Sequence, residues 1–200
     1  MIHDLDKTLE ELLKRELPPS LVGPDALTPV AISFAPPDDD FSKSVSRPAI
    51  DLFLYDVREN LELRNNEWIV DRSSATITKQ RAPTRVDCSY LITAWASESI
   101  SNPSQDEHRI LGEVMRVLLR HAILPAQVLQ GDLRDQEPPL PASTLQPGRL
   151  QSLGEFWQAL GGKPKAALNY TVTIGVPAEE EVVIGPPVTD KQTPGQRRTA

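Results

Sequence analysis

Residues 49–57 read Ala-Ile-Asp-Leu-Phe-Leu-Tyr-Asp-Val, a nearly continuous apolar run. That pattern fits a strand covered on both faces. A strand of this kind needs a layer on each side, which only a few architectures supply. Residues 166–177 carry the cleanest alternation in the chain. Leu168, Tyr170, Val172, Ile174 and Val176 share one face; Asn169, Thr171, Thr173 and Gly175 share the other. The first face is core, and the second is polar enough to meet water or a neighbouring subunit. Residues 85–96 alternate as well and turn apolar on both faces toward their end, as expected of a strand passing from the sheet edge into the interior.

Helical spacing appears in three places. Leu5, Leu9, Leu12 and Leu13 form a stripe within residues 2–16, which Pro18 and Pro19 stop. Ile110, Leu111, Val114, Met115, Leu118 and Leu119 form a second, preceded by Ser104 and Glu107 at capping-box spacing. Ser152 and Glu155 repeat that spacing ahead of Phe156, Trp157 and Leu160, and Gly161–Gly162 supplies a left-handed stop. Short strands are expected at 30–34, 67–70 and 142–145; 38–43 and 71–83 read as polar connections. The fold class is therefore α/β in the α+β sense, a single domain with a mixed β-sheet and helices packed on it. The domain is expected over 1–178, with 179–200 as a C-terminal tail rich in Pro, Thr and charge.

Composition narrows the function. The net charge of −7, with Lys and Arg scattered apart from Arg197 and Arg198, argues against wrapping a phosphate backbone, so no nucleic-acid partner is expected. No stretch approaches 18 apolar residues and the first residues lack a secretory pattern, so neither membrane insertion nor export by the general route is expected. Cys88 stands alone inside a strand, the position of a buried inert thiol. His3, His108 and His121 are too dispersed to share a metal; the latter two lie roughly 140° apart around one helix. No phosphate loop, nucleophile elbow or zinc motif occurs, so no enzyme activity, cofactor, metal or catalytic residue is assigned.

Five segments carry a resemblance: residues 2–16, 48–64, 81–95 (RAPTRVDCSYLITAW), 107–119 (EHRILGEVMRVLL) and 156–161 (FWQALG). In this order they resemble the cap, or tail-terminator, proteins of extracellular contractile injection systems, the phage-tail-like particles of the antifeeding-prophage type. The resemblance implies a tail-terminator-like fold and a structural role. A homohexameric ring would close the inner tube and sheath at the end far from the baseplate, with sheath and tube proteins as its other partners. It also implies assembly in the cytoplasm, into a particle released from the cell or held in it. Larger relatives carry an additional C-terminal domain, so the chain resembles a minimal cap. A tail-completion or connector protein of a conventional phage and a small-molecule binding module are the rival readings. Open polymer faces are best closed by strand pairing, which makes Glu181, Val182, Val183 and Ile184 the candidate donor strand. Glu59 and Asn60, in the acidic turn after the central strand, are the other candidate partner contacts.

Overall fold

The computed structural model describes residues 1–24, 26, 28–38, 40–72, 76–136, 139–146 and 152–185. Twelve residues from Thr84 to Trp95 form its central strand. In chain order the elements are α1 (Ile2–Glu16), α2 (Pro19–Val22), β1 (Ala31–Ser33), α3 (Phe41–Ser44), β2 (Ala49–Glu59), β3 (Trp68–Asp71), β4 (Ile77–Arg81) and β5 (Thr84–Trp95). They continue with α4 (Pro103–Arg120), two single 3-10 turns at Ala126–Val128 and Gly131–Leu133, β6 (Ala142–Thr144), α5 (Leu153–Ala159), β7 (Ala167–Val176) and β8 (Val182–Gly185). The main sheet runs β1-β2-β5-β7-β6, with β1 parallel to β2 and the other pairs antiparallel. A second sheet runs β3-β4-β8.

One face of the main sheet is fully covered. Leu5, Leu9, Leu12 and Leu13 of α1 and Ile110 and Val114 of α4 are buried against Ile50 and Leu52 of β2, Tyr90 and Ile92 of β5, and Tyr170, Val172 and Ile174 of β7. Burying a side chain of this size contributes about 1.5–3 kcal/mol, so this layer dominates the stability. Thr8 ties it to the 3-10 turns, since its hydroxyl accepts from the Gln130 backbone N–H at 3.0 Å. Gly131, at φ +52°, then passes so close to the Asp4 carboxylate that no Cβ fits.

The opposite face is only half covered. Phe41 of α3 stacks on Trp95 with ring centroids 4.4 Å apart, and Phe156 of α5 meets Phe53 at 6.1 Å and Trp157 at 5.5 Å. Together with Leu91 these rings close one end of the face. The other end is left open and polar.

Several expectations change. The connection at 38–43 contains α3, because the single apolar side chain within it, Phe41, is wholly buried. The polar stretch at 71–83 holds β4, which pairs with β3 rather than with the main sheet. β5 lies in the middle of the sheet, not at its edge. The α4 helix begins a residue before Ser104, so Ser104 does not cap it; Glu107 instead accepts from Lys165 Nζ at 2.6 Å and from the Ala96 N–H at 3.3 Å. The Ser152 cap is present, its Oγ accepting from the Glu155 N–H at 3.2 Å.

Asp51 is wholly buried on the half-covered face, and neither carboxylate oxygen has a hydrogen-bond partner among the described residues. Burial pushes its pKa from the ordinary 3.8 up to about 8, and the neighbouring Ser33 hydroxyl only partly opposes the shift. Between roughly pH 4 and 8 the folded chain therefore holds a proton that the unfolded chain has released. Stability from this group is fully present below pH 4 and is lost as pH rises to 8, by at most about 1.4 kcal/mol per pH unit. Urea unfolding at pH 5 and pH 8 tests this: Asp51→Asn flattens the loss between the two, whereas equal slopes for both proteins refute the assignment.

Candidate assembly surface

Two surfaces left uncovered by the fold hold all the candidate contact residues. The first is the β3-β4-β8 sheet. It continues from the end of the main sheet where β5 begins and β7 stops, since β4 leads into β5 through Ala82 and Pro83, and β7 leads into β8 through 177–181. It is a three-stranded arm without a second layer. Trp68, Ile69 and Val70 of β3 are 45%, 55% and 42% exposed, and Val182, Val183 and Ile184 of β8 are 48%, 64% and 55% exposed. Trp68 and Val70 point to one side, beside Arg81 and Lys79; Ile69 and Asp71 point to the other, beside Gln80 and Thr78. The Trp68 ring lies under the Lys79 amine at 4.6 Å and the Arg81 guanidinium at 5.3 Å. Arg81 also pairs with Glu179 at 3.2 Å, which fixes the start of β8.

Six large apolar side chains on a ribbon of thirteen residues, divided between its two sides, leave both faces of the arm partly apolar and exposed. The ribbon also has two free edges, because β3 and β8 each pair only with β4 among the described residues. Unpaired strand edges are templates for further strands. Val182, Val183 and Ile184 thus sit in a paired strand within the range 179–200, Glu181 immediately precedes it, and 186–200 lie outside the described residues.

The second surface is a groove of about 840 Å³ on the open half of the main sheet. Its floor is Tyr55, Asp87, Ser89, Asn169 and Thr171. A bulge builds it: Leu54 pairs with Tyr90 and Asp56 with Ser89, so Tyr55 is an extra residue in β2. The slip of one residue turns Asp56 and Arg58 to the groove side. Arg58 grips Asp56 through two bonds of 2.6 and 2.7 Å. Ser89 and Thr171 share a hydrogen bond of 3.0 Å, and Tyr55 donates to Asn169 at 3.3 Å.

Glu59 and Asn60 lie on the groove's rim, away from Val182–Gly185; the two predicted sets of contacts belong to different surfaces. Glu59 is clamped by Arg64 at 2.6 and 2.7 Å, which lowers its pKa. Asn60 is a joint. Its side-chain oxygen accepts from the N–H groups of Glu62 and Leu63, and its amide donates to both oxygens of Asp87 at 3.0 and 3.2 Å. It therefore sets the shape of the rim. Thr173 donates a further bond to Asp87 at 2.7 Å. Among the described residues no group of His, Cys, Asp and Glu is arranged to hold a metal, and no helix is long and apolar enough to cross a membrane.

The likeness to known proteins covers both surfaces. A model of the Pvc16 N-terminal domain matches residues 4–190. The chain belongs to the Pvc16 N-terminal domain family. Among solved structures, the sheath/tube terminator of the PVC extracellular contractile injection system, in its extended state, superposes with a TM-score of 0.68 at 26% identity. That match covers 100% of this chain and 65% of the terminator. The tube-terminating cap of the anti-feeding prophage superposes with a TM-score of 0.65 at 23% identity, over 98% of this chain and 62% of the cap, and shares the fold. The Pvc16 domain chain thus spans a little under two thirds of the length of each. No curated protein sequence matches it. The match to residue 190 takes in β3, β4 and β8, so the arm belongs to the family's domain rather than being appended to it.

Trp68 and Ile69 were legible only as a possible short strand; their exposure follows from β4, which sequence periodicity does not reveal. Nothing in the sequence marks the Tyr55 bulge. If the arm is a docking surface rather than core, changing Ile69→Thr and Val183→Thr together shifts the unfolding free energy of the isolated Pvc16 domain chain by no more than about 1 kcal/mol. Urea denaturation measures this. A loss of several kcal/mol would mean that the arm is packed in the free chain.

Proposed function

We propose that this chain is a structural cap, not an enzyme, that terminates the tube and sheath of a contractile injection particle as a ring of six copies. The observation that carries the reading is the single-layered arm, in a domain that shares its fold with a sheath/tube terminator over its full length. Tubes and sheaths grow by heterologous contacts that do not close along the axis. Growth stops when a subunit satisfies the exposed face of the last layer and presents no equivalent face itself. The arm fits the first requirement: two open edges offer backbone donors and acceptors, and its exposed Trp68, Ile69 and Val183 offer apolar area to bury. The helical face of the domain supports the second. There α1 and α4 present surfaces dominated by salt-bridged charge, such as Arg120 with Glu16 and Arg116 with Glu113. The sheath and tube proteins are then the arm's partners, and the ring is assembled before release of the particle.

Deleting the chain from Glu179 onward would remove β8 with the tail and leave one edge of β4 unpaired, so point changes give the cleaner test. In particles assembled with Trp68→Asp and Val183→Asp, the protein is expected to be lost from the shaft end and shaft lengths to broaden in electron micrographs. Normal lengths with the label still at one end would remove the arm from the contact. Label along the whole shaft would overturn the cap reading itself.

A further inference from the structure

We infer that the turn between β2 and β3, residues 60–67, is a preformed knob that docks beside the arm into an apolar hollow rimmed with lysine or arginine on the partner protein. The inference deepens the cap reading and rests on it. It begins from where exposed apolar area lies. β2 ends, β5 begins and β7 ends at one end of the main sheet, the end that carries the arm. Nine of the fourteen exposed large apolar residues among those described sit there: the six of the arm, with Val57, Leu61 and Leu63. Leu61, at 67%, is the most exposed of the fourteen. Single exposed leucines need no explanation, but this concentration at one end does.

The turn is ordered by its own hydrogen bonds. The Asn60 side-chain oxygen accepts from the Glu62 and Leu63 N–H groups, and Arg64 bridges back to Glu59. The Asn65 side-chain oxygen accepts from the Glu67 N–H at 2.8 Å. The Glu67 carbonyl then accepts from the Ala82 N–H at 3.0 Å, which ties the turn to the base of the arm. Both leucines are therefore held outward before any partner arrives. Little backbone freedom remains to be lost on docking, so their burial acts with a small entropic penalty.

Charge names the partner's rim. At this end Arg58, Arg64 and Arg81 are paired with Asp56, Glu59 and Glu179, and Arg58 and Arg85 also face Asp87. Glu62 and Glu67 of the turn and Glu180 and Glu181 ahead of β8 are exposed and make no ion pair among the described residues. Against these four stand Lys79, which lies over Trp68, and Arg72, which follows β3 at the far end of the arm. An apolar centre with an excess of carboxylate around it fits a face of the opposite build, apolar within and basic at its edge.

Particles assembled with the labelled full chain as its only copy test this, by counting the shaft ends that keep label through washes of rising salt. Leu61→Ser with Leu63→Ser is expected to cut the retained label about tenfold, the loss typical of an apolar anchor. Both side chains are exposed, so urea unfolding of this variant is expected to match that of the unchanged chain. Leu61→Met with Leu63→Met keeps the label, because it restores the apolar area. Glu62→Lys with Glu180→Lys cuts the label about threefold or more. Full retention by the serine variant, where Trp68→Asp with Val183→Asp loses the label, overturns the knob and leaves the arm in contact. Full retention by both overturns docking through this end altogether. A loss shared equally by the serine and methionine variants also overturns the knob, since apolar area would not be what the partner grips. Label unchanged or raised in the lysine variant overturns the basic rim.

Discussion

Strand β5 is hydrogen-bonded along both sides, to β2 through ten register pairs and to β7 through ten more. That double pairing fixes where every other part of the molecule can be. It sets β2 and β7 in antiparallel register, and so decides which of their side chains face α1 and α4. The Tyr90 hydroxyl completes the link between the layers by donating to Asp6 of α1 at 2.8 Å. The same three strands carry the groove on their far side. A change that shifted β5 by one residue would turn Tyr90 and Ile92 out of the core and Asp87 and Ser89 into it.

The two faces of this sheet are covered unequally, and the inequality is chemical before it is topological. On the open side, Leu91 and Trp95 lie toward one end of β5 and Asp87 and Ser89 toward the other. Phe41 and Phe156 cover the first pair; nothing apolar is available to cover the second. Ser89, Thr171, Asp87 and Thr173 pair with one another instead, which removes the cost of leaving them half-buried. Asp51 shows what happens where the cover does reach a carboxylate. It is buried without a hydrogen-bond partner among the described residues, and burial raises its pKa to about 8.

Much of this was legible in the chain. The leucines of α1, the stripe of α4 and the alternation of β7 each follow one period for several turns or residues, and each element appears where the period places it. What escaped had no single period. Ile-Thr-Lys-Gln-Arg in β4 is polar because neither face of the arm is packed, so the alternation that marks a half-buried strand never arises. Phe41 was hidden by the aspartates before it. The bulge at Tyr55 depends on the partner strand and leaves no mark in β2 itself. Of the candidate contacts, Val182, Val183 and Ile184 announced themselves by being apolar beside three glutamates. Glu59 and Asn60 announced only a turn, and the groove beside them needed the fold to be seen.

The two uncovered surfaces differ in what they can tolerate alone. The groove is satisfied by its own hydrogen bonds and can stay wet in a free chain. The arm has no such relief: its exposed Ile69, Val182 and Val183 have only water to meet. Its β8 edge is guarded by Glu179, Glu180 and Glu181 on one side and Pro186 and Pro187 on the other, the kind of flanking that discourages indiscriminate strand addition. The β3 edge carries Trp68, Ile69 and Val70 without proline or glycine. A partner strand therefore meets less resistance at β3 than at β8. The residues that look most like a donor when read along the chain are, in the fold, the better protected of the two edges, and they pair with β4 on the side away from β3.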